Sequence, residues 1–234
     1  MKKIGIVGAE GFFGKTLVKV SNEFNFKIIK IIRENFDEYK NDRFDILINC
    51  AMPSKKYLAF KNPLLDFQES VGLTANLVYS WNFDKFIQIS SISVNEIKNK
   101  HPYGINKKAA EIIVSSTKSI IVRLGTIYGE GLNKGALYDL LNSNKLYVDI
   151  SSEYDFISTD FVSRWIFSNM DREGIVELGA KDTTSLSEIA SALGLKIESG
   201  DRFEQIFSSK IEKGMPSSKE VLQFAKNYQN LLNK

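Results

Sequence analysis

The chain has 234 residues, 43% of them hydrophobic and 25% charged, which fits one large globular domain with a sizeable core. Its 31 Lys and Arg against 28 Asp and Glu leave a formal charge of +3, without the concentrated basic patch that binding to nucleic acid requires. The single cysteine, Cys50, excludes an intrachain disulfide, no apolar run approaches the ~18 residues of a membrane span, and no secretory leader opens the chain, so the expectation is a cytoplasmic protein with a buried thiol.

In chain order, Lys3–Val7 is a short apolar strand, and Gly14–Glu23 is helical with Leu17, Val18 and Val20 on one side. "KIIKIIR" at 27–33 and "DILINC" at 45–50 read as strands. A helix is predicted over 67–82 from Val71, Leu77, Val78 and Trp81, and a strand over 85–90, "KFIQIS". A helix at 106–115 and the strand "SIIVRL" at 119–124 follow. Continuous apolar strands separated by helices predict a parallel sheet covered on both faces, an α/β, Rossmann-like doubly wound fold. After about residue 125 the rhythm loosens. Helical patterns near 160–170 and 185–195 and a last helix over 217–232 alternate with short strands, and Ser185 or Ser187 is available as a cap. No linker or repeat interrupts the chain. The expectation is therefore a single unit over 1–234, with a dinucleotide-binding core over about 1–125 and mostly substrate-binding additions over 126–234.

Three short patterns carry chemistry. The first is Gly8-x-x-Gly11-x-x-Gly14, directly after a strand and opening a helix. A tight turn, the approach of a pyrophosphate, and close helix–strand packing each exclude a Cβ, and the helix start supplies main-chain N–H groups. The second is Tyr103-Gly-Ile-Asn-Lys107. A spacing of four puts phenol and ammonium on one helix face, where the cation stabilises phenolate and lowers the pKa from ~10. The third is the Ser90–Ser91 pair at a strand end, where a parallel sheet places its ligand crevice. Each pattern alone is common: a glycine turn, a surface pair, a polar turn. Their order, each in its structural slot, is not.

In that order the sequence resembles the extended short-chain dehydrogenase/reductases, the NAD(P)-dependent epimerases, dehydratases and reductases of nucleotide sugars. Cys50–Ala51 is similar to the family's "AA" strand end, "LTANL" at 73–77 to "GTxNL", and "YGINKKAAE" at 103–111 to "YGxSKxxxE". "RLGTIYGEG" at 123–131, "YDFISTDFVSRWI" at 154–166 and "VELGAKDTTSLSEIASAL" at 176–193 resemble later family segments. The resemblance implies that Ser91 orients a substrate oxygen, Tyr103 exchanges its proton, and Lys107 tunes Tyr103 and bonds the nicotinamide ribose. It implies that Gly8, Gly11, Phe12, Phe13, Gly14, Cys50 and Ala51, together with Tyr103 and Lys107, line the dinucleotide. At the end of the second strand, where NAD-preferring members carry Asp or Glu, stands Arg33, which suits the 2′-phosphate of NADP; the neighbouring Glu34 would favour NAD if the alignment slipped by one.

Departures narrow the reaction. Ile92–Ser93 replaces the Asp-Glu pair of dehydratases, which argues against 4,6-dehydration. The segment between Ser91 and Tyr103 is short, Leu73 replaces a glycine, and Tyr154 and Phe161 replace an arginine and an aspartate. The reading is an NAD(P)-dependent oxidoreductase, with NADP preferred over NAD, that reduces or epimerises a nucleotide-linked hexose or deoxyhexose. The alternative is a catalytically weak NADP(H)-binding sensor or scaffold. A homodimer is compatible with both, and no nucleic acid, membrane or metal partner is expected. His101 reads as a loop surface residue, Trp81 and Trp165 as core, and Arg123 as a structural pairing partner.

Overall fold

The computed structural model describes residues 1–208 and 212–232, with the backbone alone for 96–99. The elements run β1 (Lys2–Val7), α1 (Phe12–Ser21), β2 (Phe26–Ile31), β3 (Arg43–Asn49), α2 (Lys56–Lys61), α3 (Pro63–Phe67), α4 (Leu73–Ser80), β4 (Asn82–Ser91), α5 (Pro102–Val114), β5 (Ser119–Leu124) and β6 (Ile127–Tyr128). There follow α6 (Ala136–Leu141), β7 (Glu153–Tyr154), β8 (Ile157–Ser158), α7 (Thr159–Ser168), β9 (Gly174–Leu178), β10 (Thr184–Ser185), α8 (Leu186–Leu193), β11 (Gln205–Ile206) and α9 (Glu220–Leu232).

Six strands form one sheet in the order β2-β1-β3-β4-β5-β9. The pairs from β2 to β5 are parallel, with Ile4 opposite both Ile28 and Ile46, and Ser90 opposite Arg123. The chain steps outward from β1 to β2, then returns to build β3, β4 and β5 on the other side. That reversal makes the gap between β1 and β3 the topological switch point, where open α/β sheets hold their ligands. The central strands read as continuous apolar runs because both sheet faces are covered. Val7, Ile31, Phe44, Leu47, Leu77, Trp81, Phe86, Val114 and Ile121 close into one core cluster. Trp81 belongs there, its ring against Phe36 and Phe44. Trp165 is only half-buried, with the Arg172 guanidinium 5.3 Å from its ring centroid.

The helix predicted over 67–82 is divided. Pro63 fixes the first turn of α3, and Asn62 caps it by accepting from Leu65 N. A single π-turn, Gln68–Gly72, then widens the helix before α4 begins. The insertion carries Ser70 into full burial, with no hydrogen-bond partner for its hydroxyl. The strand predicted over 85–90 extends instead from Asn82 to Ser91, because Phe83 adds its ring to Phe86.

The chain divides into two compact units, Met1–Leu124 with Ser163–Val176, and Gly125–Val162 with the residues from Glu177 onward. Residues 163–176 belong to the first unit for visible reasons: Arg164 forms a forked ion pair with Glu23, and Phe167 packs on the stacked rings of Phe24 and Phe26. In the second unit β6 pairs with β8, and β7 lies between β10 and β11. Ser185 and Glu188 form a reciprocal capping box at the start of α8, so Ser185, not Ser187, is its cap.

Asp155 sits between β7 and β8, fully buried. It accepts from Thr126 N at 3.1 Å, Ser208 N at 2.8 Å and Ser208 Oγ at 3.0 Å. Burial outweighs these donors and pushes its carboxyl up to about 6. The unfolded chain gives up the same proton near ~3.9, so the folded state holds the extra proton between those values. The group's contribution to stability therefore grows as pH falls through this window and is lost as pH rises through the folded value. The melting temperature of Asp155→Asn, minus that of the wild type, should be more positive at about pH 7.5 than at about pH 5. Thermal melts at the two pH values check this, and a pH-independent difference contradicts it.

Candidate active site

The switch point is built from bare backbone. Gly8 directly follows β1 with φ +81°, a conformation that side chains resist, and a Cβ on it would lie 2.7 Å from the Ala51 Cα. The turn after β1 is therefore seated directly on the turn after β3. Gly8 N donates to Ile31 O and Cys50 N to Val7 O, so the ends of three neighbouring strands are bonded into one ledge. Gly14 lies one turn inside α1, where a Cβ would collide with the Gly8 carbonyl oxygen and approach Ala9 Cα to 2.9 Å. Only glycine lets the start of α1 rest on that turn. Gly11 is the N-cap and has no side chain to bond the first N–H groups of the helix, which leaves the N-terminal dipole for an anion. Phe13 is buried beneath the turn and Phe12 half-buried beside it. A bare backbone turn closed on its neighbours by glycines, at an uncapped helix start and a switch point, fits a dinucleotide diphosphate.

Cys50 is half-buried. Its thiol donates to Val7 O at 2.9 Å, and burial pushes its pKa up to about 12, which keeps it an unreactive thiol. Under this ledge lies a buried amide pair. Asn49 donates to Gln88 Oε1 at 3.1 Å and to Thr74 Oγ1 at 3.3 Å, while its own Oδ1 accepts from Ala51 N. These bonds hold the 49–51 turn in place.

Ser91 is the last residue of β4, and Tyr103 lies in the first turn of α5. The Ser91 hydroxyl lies near enough to the Tyr103 phenol to act on its proton affinity, and it accepts from Ser93 N at 3.2 Å. The Lys107 ammonium stands 5.1 Å from the Tyr103 ring centroid, and both residues are buried. The spacing of four does bring phenol and cation onto one face. The expected depression of the phenol's pKa is absent. Burial dominates and pushes Tyr103 up to about 12; the Ser91 hydroxyl lowers it and the charge of Asp66 raises it.

Asp66 is a residue that the sequence reading missed. It is a buried carboxylate on α3, accepting from Asn106 Nδ2 at 2.8 Å. Asn106 immediately precedes Lys107, so α3 is tied to the helical turn that bears the tyrosine and the lysine. Forty residues separate the partners, and no local pattern links them. His101 proves to be the N-cap of α5, with Nδ1 accepting from Tyr103 N at 3.3 Å. Arg33 lies two residues beyond β2, with its side chain 91% exposed and 3.8 Å from Glu69. The structure brings Gly8, Gly11, Phe12, Phe13, Gly14, Cys50 and Ala51 together at the ledge, and Ser91, Tyr103 and Lys107 together at the ends of β4 and α5. Arg33 pairs with neither set. Among the described residues no group of three or more His, Cys, Asp or Glu could hold a metal, and no helix is long and apolar enough to cross a membrane.

No protein-family model matches the chain, and no curated protein sequence does. Solved structures do. A dTDP-4-dehydrorhamnose reductase from Clostridium acetobutylicum superposes with a TM-score of 0.78 at 21% identity, over 99% of this chain and 100% of the other. A UDP-glucose 4-epimerase from Thermotoga maritima, solved with UDP-glucose, gives 0.78 at 15% identity over 99% and 100%. A dTDP-4-dehydrorhamnose reductase from Bacillus anthracis, in complex with NADP, gives 0.76 at 17% identity over 97% and 98%. These superpositions show that the chain shares the fold of these solved reductases and epimerases.

Proposed function

We propose that this chain is an NAD(P)-dependent oxidoreductase that reduces a keto group on a nucleotide-linked hexose or deoxyhexose. The observation that carries the reading is the half-buried Ser91 with the buried Tyr103 and Lys107 at the end of β4 and the start of α5, in the same unit as a glycine ledge that a dinucleotide diphosphate fits. Gly8, Gly11, Phe12, Phe13, Gly14, Cys50 and Ala51 would hold the dinucleotide, which when bound supplies hydride for the carbonyl carbon. The residues of the chain do the rest. The Ser91 hydroxyl orients the carbonyl oxygen. As negative charge develops there, Tyr103 O–H is the proton donor. A phenol pushed up to about 12 is fully protonated at neutral pH, the state a donor needs. The buried Lys107 ammonium offers positive charge to the phenolate left behind.

The short segment between Ser91 and Tyr103 favours reduction over epimerisation, in which the sugar would have to rotate in a roomier pocket. Residues 126–234 would carry most substrate contacts. Arg33 would pair with the 2′-phosphate of NADP; its exposed 3.8 Å partnership with Glu69 is weak and easily exchanged for a phosphate.

The deciding assay is oxidation of NADPH in the presence of nucleoside-diphosphate 4-keto-6-deoxyhexoses. Turnover supports the proposal. Binding of NADPH without turnover on any keto sugar would leave the sensor reading in its place. Tyr103→Phe should lower kcat by roughly 10²–10⁴-fold while leaving the Kd for NADPH close to the wild-type value, and undiminished turnover removes Tyr103 from the chemistry. Arg33→Ala should weaken NADPH by about tenfold, or ~1.4 kcal/mol, with NADH little changed. Calorimetric titration measures both constants, and an equal loss for the two cofactors contradicts the assignment.

A further inference from the structure

On the helix face of Tyr103, bonded to the neighbour of Ser91 in sequence, lies a buried polar group with no part in the chemistry above. Glu111, on α5, is 2% exposed. Its carboxylate receives Arg123 Nε on Oε1 at 2.9 Å and Arg123 Nη2 on Oε2 at 2.7 Å, a forked, charge-assisted pair. Ser90 Oγ donates to Oε1 at 2.8 Å, and Lys108 Nζ lies 3.4 Å from Oε2. Arg123 Nη1 donates in turn to Asn95 Oδ1 at 3.1 Å.

The placement of these partners is the point. Glu111 follows Lys107 by one helical turn and Tyr103 by two, on the same buried face of α5. Ser90 immediately precedes Ser91 on β4. Arg123 lies opposite Ser90 on β5. Asn95 belongs to the segment that leads from Ser91 to α5. One carboxylate therefore joins the helix of Tyr103 to the strand end of Ser91 and, through Arg123, to the segment between them. A buried ion pair adds little net stability over apolar residues of the same shape, but it fixes geometry. Hydroxyl and phenol must meet within about 3 Å to cooperate, and a misplacement of about 1 Å can cost as much as a hundredfold in rate.

We propose that Ser90 and Glu111 are positioning residues whose hydrogen bond holds the strand end that bears Ser91 against the turn of α5 that bears Tyr103. The inference rests on the reading of Ser91 and Tyr103 as the reacting pair, and its test separates the two. Ser90→Ala removes one hydroxyl and leaves Glu111 paired with Arg123, so no buried charge is orphaned and the melting temperature should stay near that of the wild type. The probe is the whole chain labelled with 3-fluorotyrosine and observed by fluorine NMR, with the Tyr103 line assigned by its absence from Tyr103→Phe. Ser90→Ala should move the Tyr103 line in the same sense as Ser91→Ala and leave the other tyrosine lines in place. Its kcat for keto-sugar reduction should fall by roughly tenfold to a hundredfold, with KM for NADPH within about twofold. An unmoved Tyr103 line, or an unmoved kcat, overturns the proposal. A wild type without turnover overturns the functional reading instead, and the fluorine spectrum still decides the positioning role.

Discussion

Everything at this site depends on one contact: backbone lying on backbone where β1 and β3 end. With a positive φ at Gly8 and the Ala51 Cα at the place of its missing Cβ, the two turns close on each other without a side chain between them. Gly14 then lets α1 settle on the same turn. The result is a ledge of main chain, with the uncapped start of α1 beside it, at the switch point of a parallel sheet. Side chains set what the protein does with a ligand there, but the absence of three of them makes the place.

The second governing effect is burial. A lysine near a tyrosine suggests an acidified phenol, because opposite charge favours phenolate. In this site desolvation is the larger influence, and the nearby Asp66 carboxylate acts in the same direction. The outcome is a phenol that keeps its proton, in a cluster where the Ser91 hydroxyl acts against the shift and Lys107 stands as a cation. Polar bonds among Asp66, Asn106, Ser90, Glu111 and Arg123 tie α3, β4 and β5 to the helix that bears Tyr103 and Lys107.

How far the sequence spoke for itself follows from the range of the forces involved. The parallel sheet was legible because buried strands are continuous apolar runs. The glycine turn was legible because steric exclusion leaves a mark at each position. Tyr103 and Lys107 were legible because a spacing of four is a property of the helix alone. Three features were hidden. The π-turn at Gln68–Gly72 depends on the packing of its helix, and helix propensity carries no sign of it. The Asp66–Asn106 pair exists only once α3 meets α5. The sign of the shift at Tyr103 depends on how deeply the fold buries it. Glu111 and Arg123 stood in plain view inside two recognised segments, yet their pairing exists only once α5 packs against β5.

The central claim is that the ledge after β1 receives a dinucleotide diphosphate. Titration of the wild-type protein with NADPH in a calorimeter tests it most directly, with the same titration of Gly11→Glu, which sets a carboxylate at the helix start, as the control. The account predicts saturable binding of one NADPH per chain and its loss in the variant. No heat of binding to the wild type, or equal binding to both proteins, would contradict it.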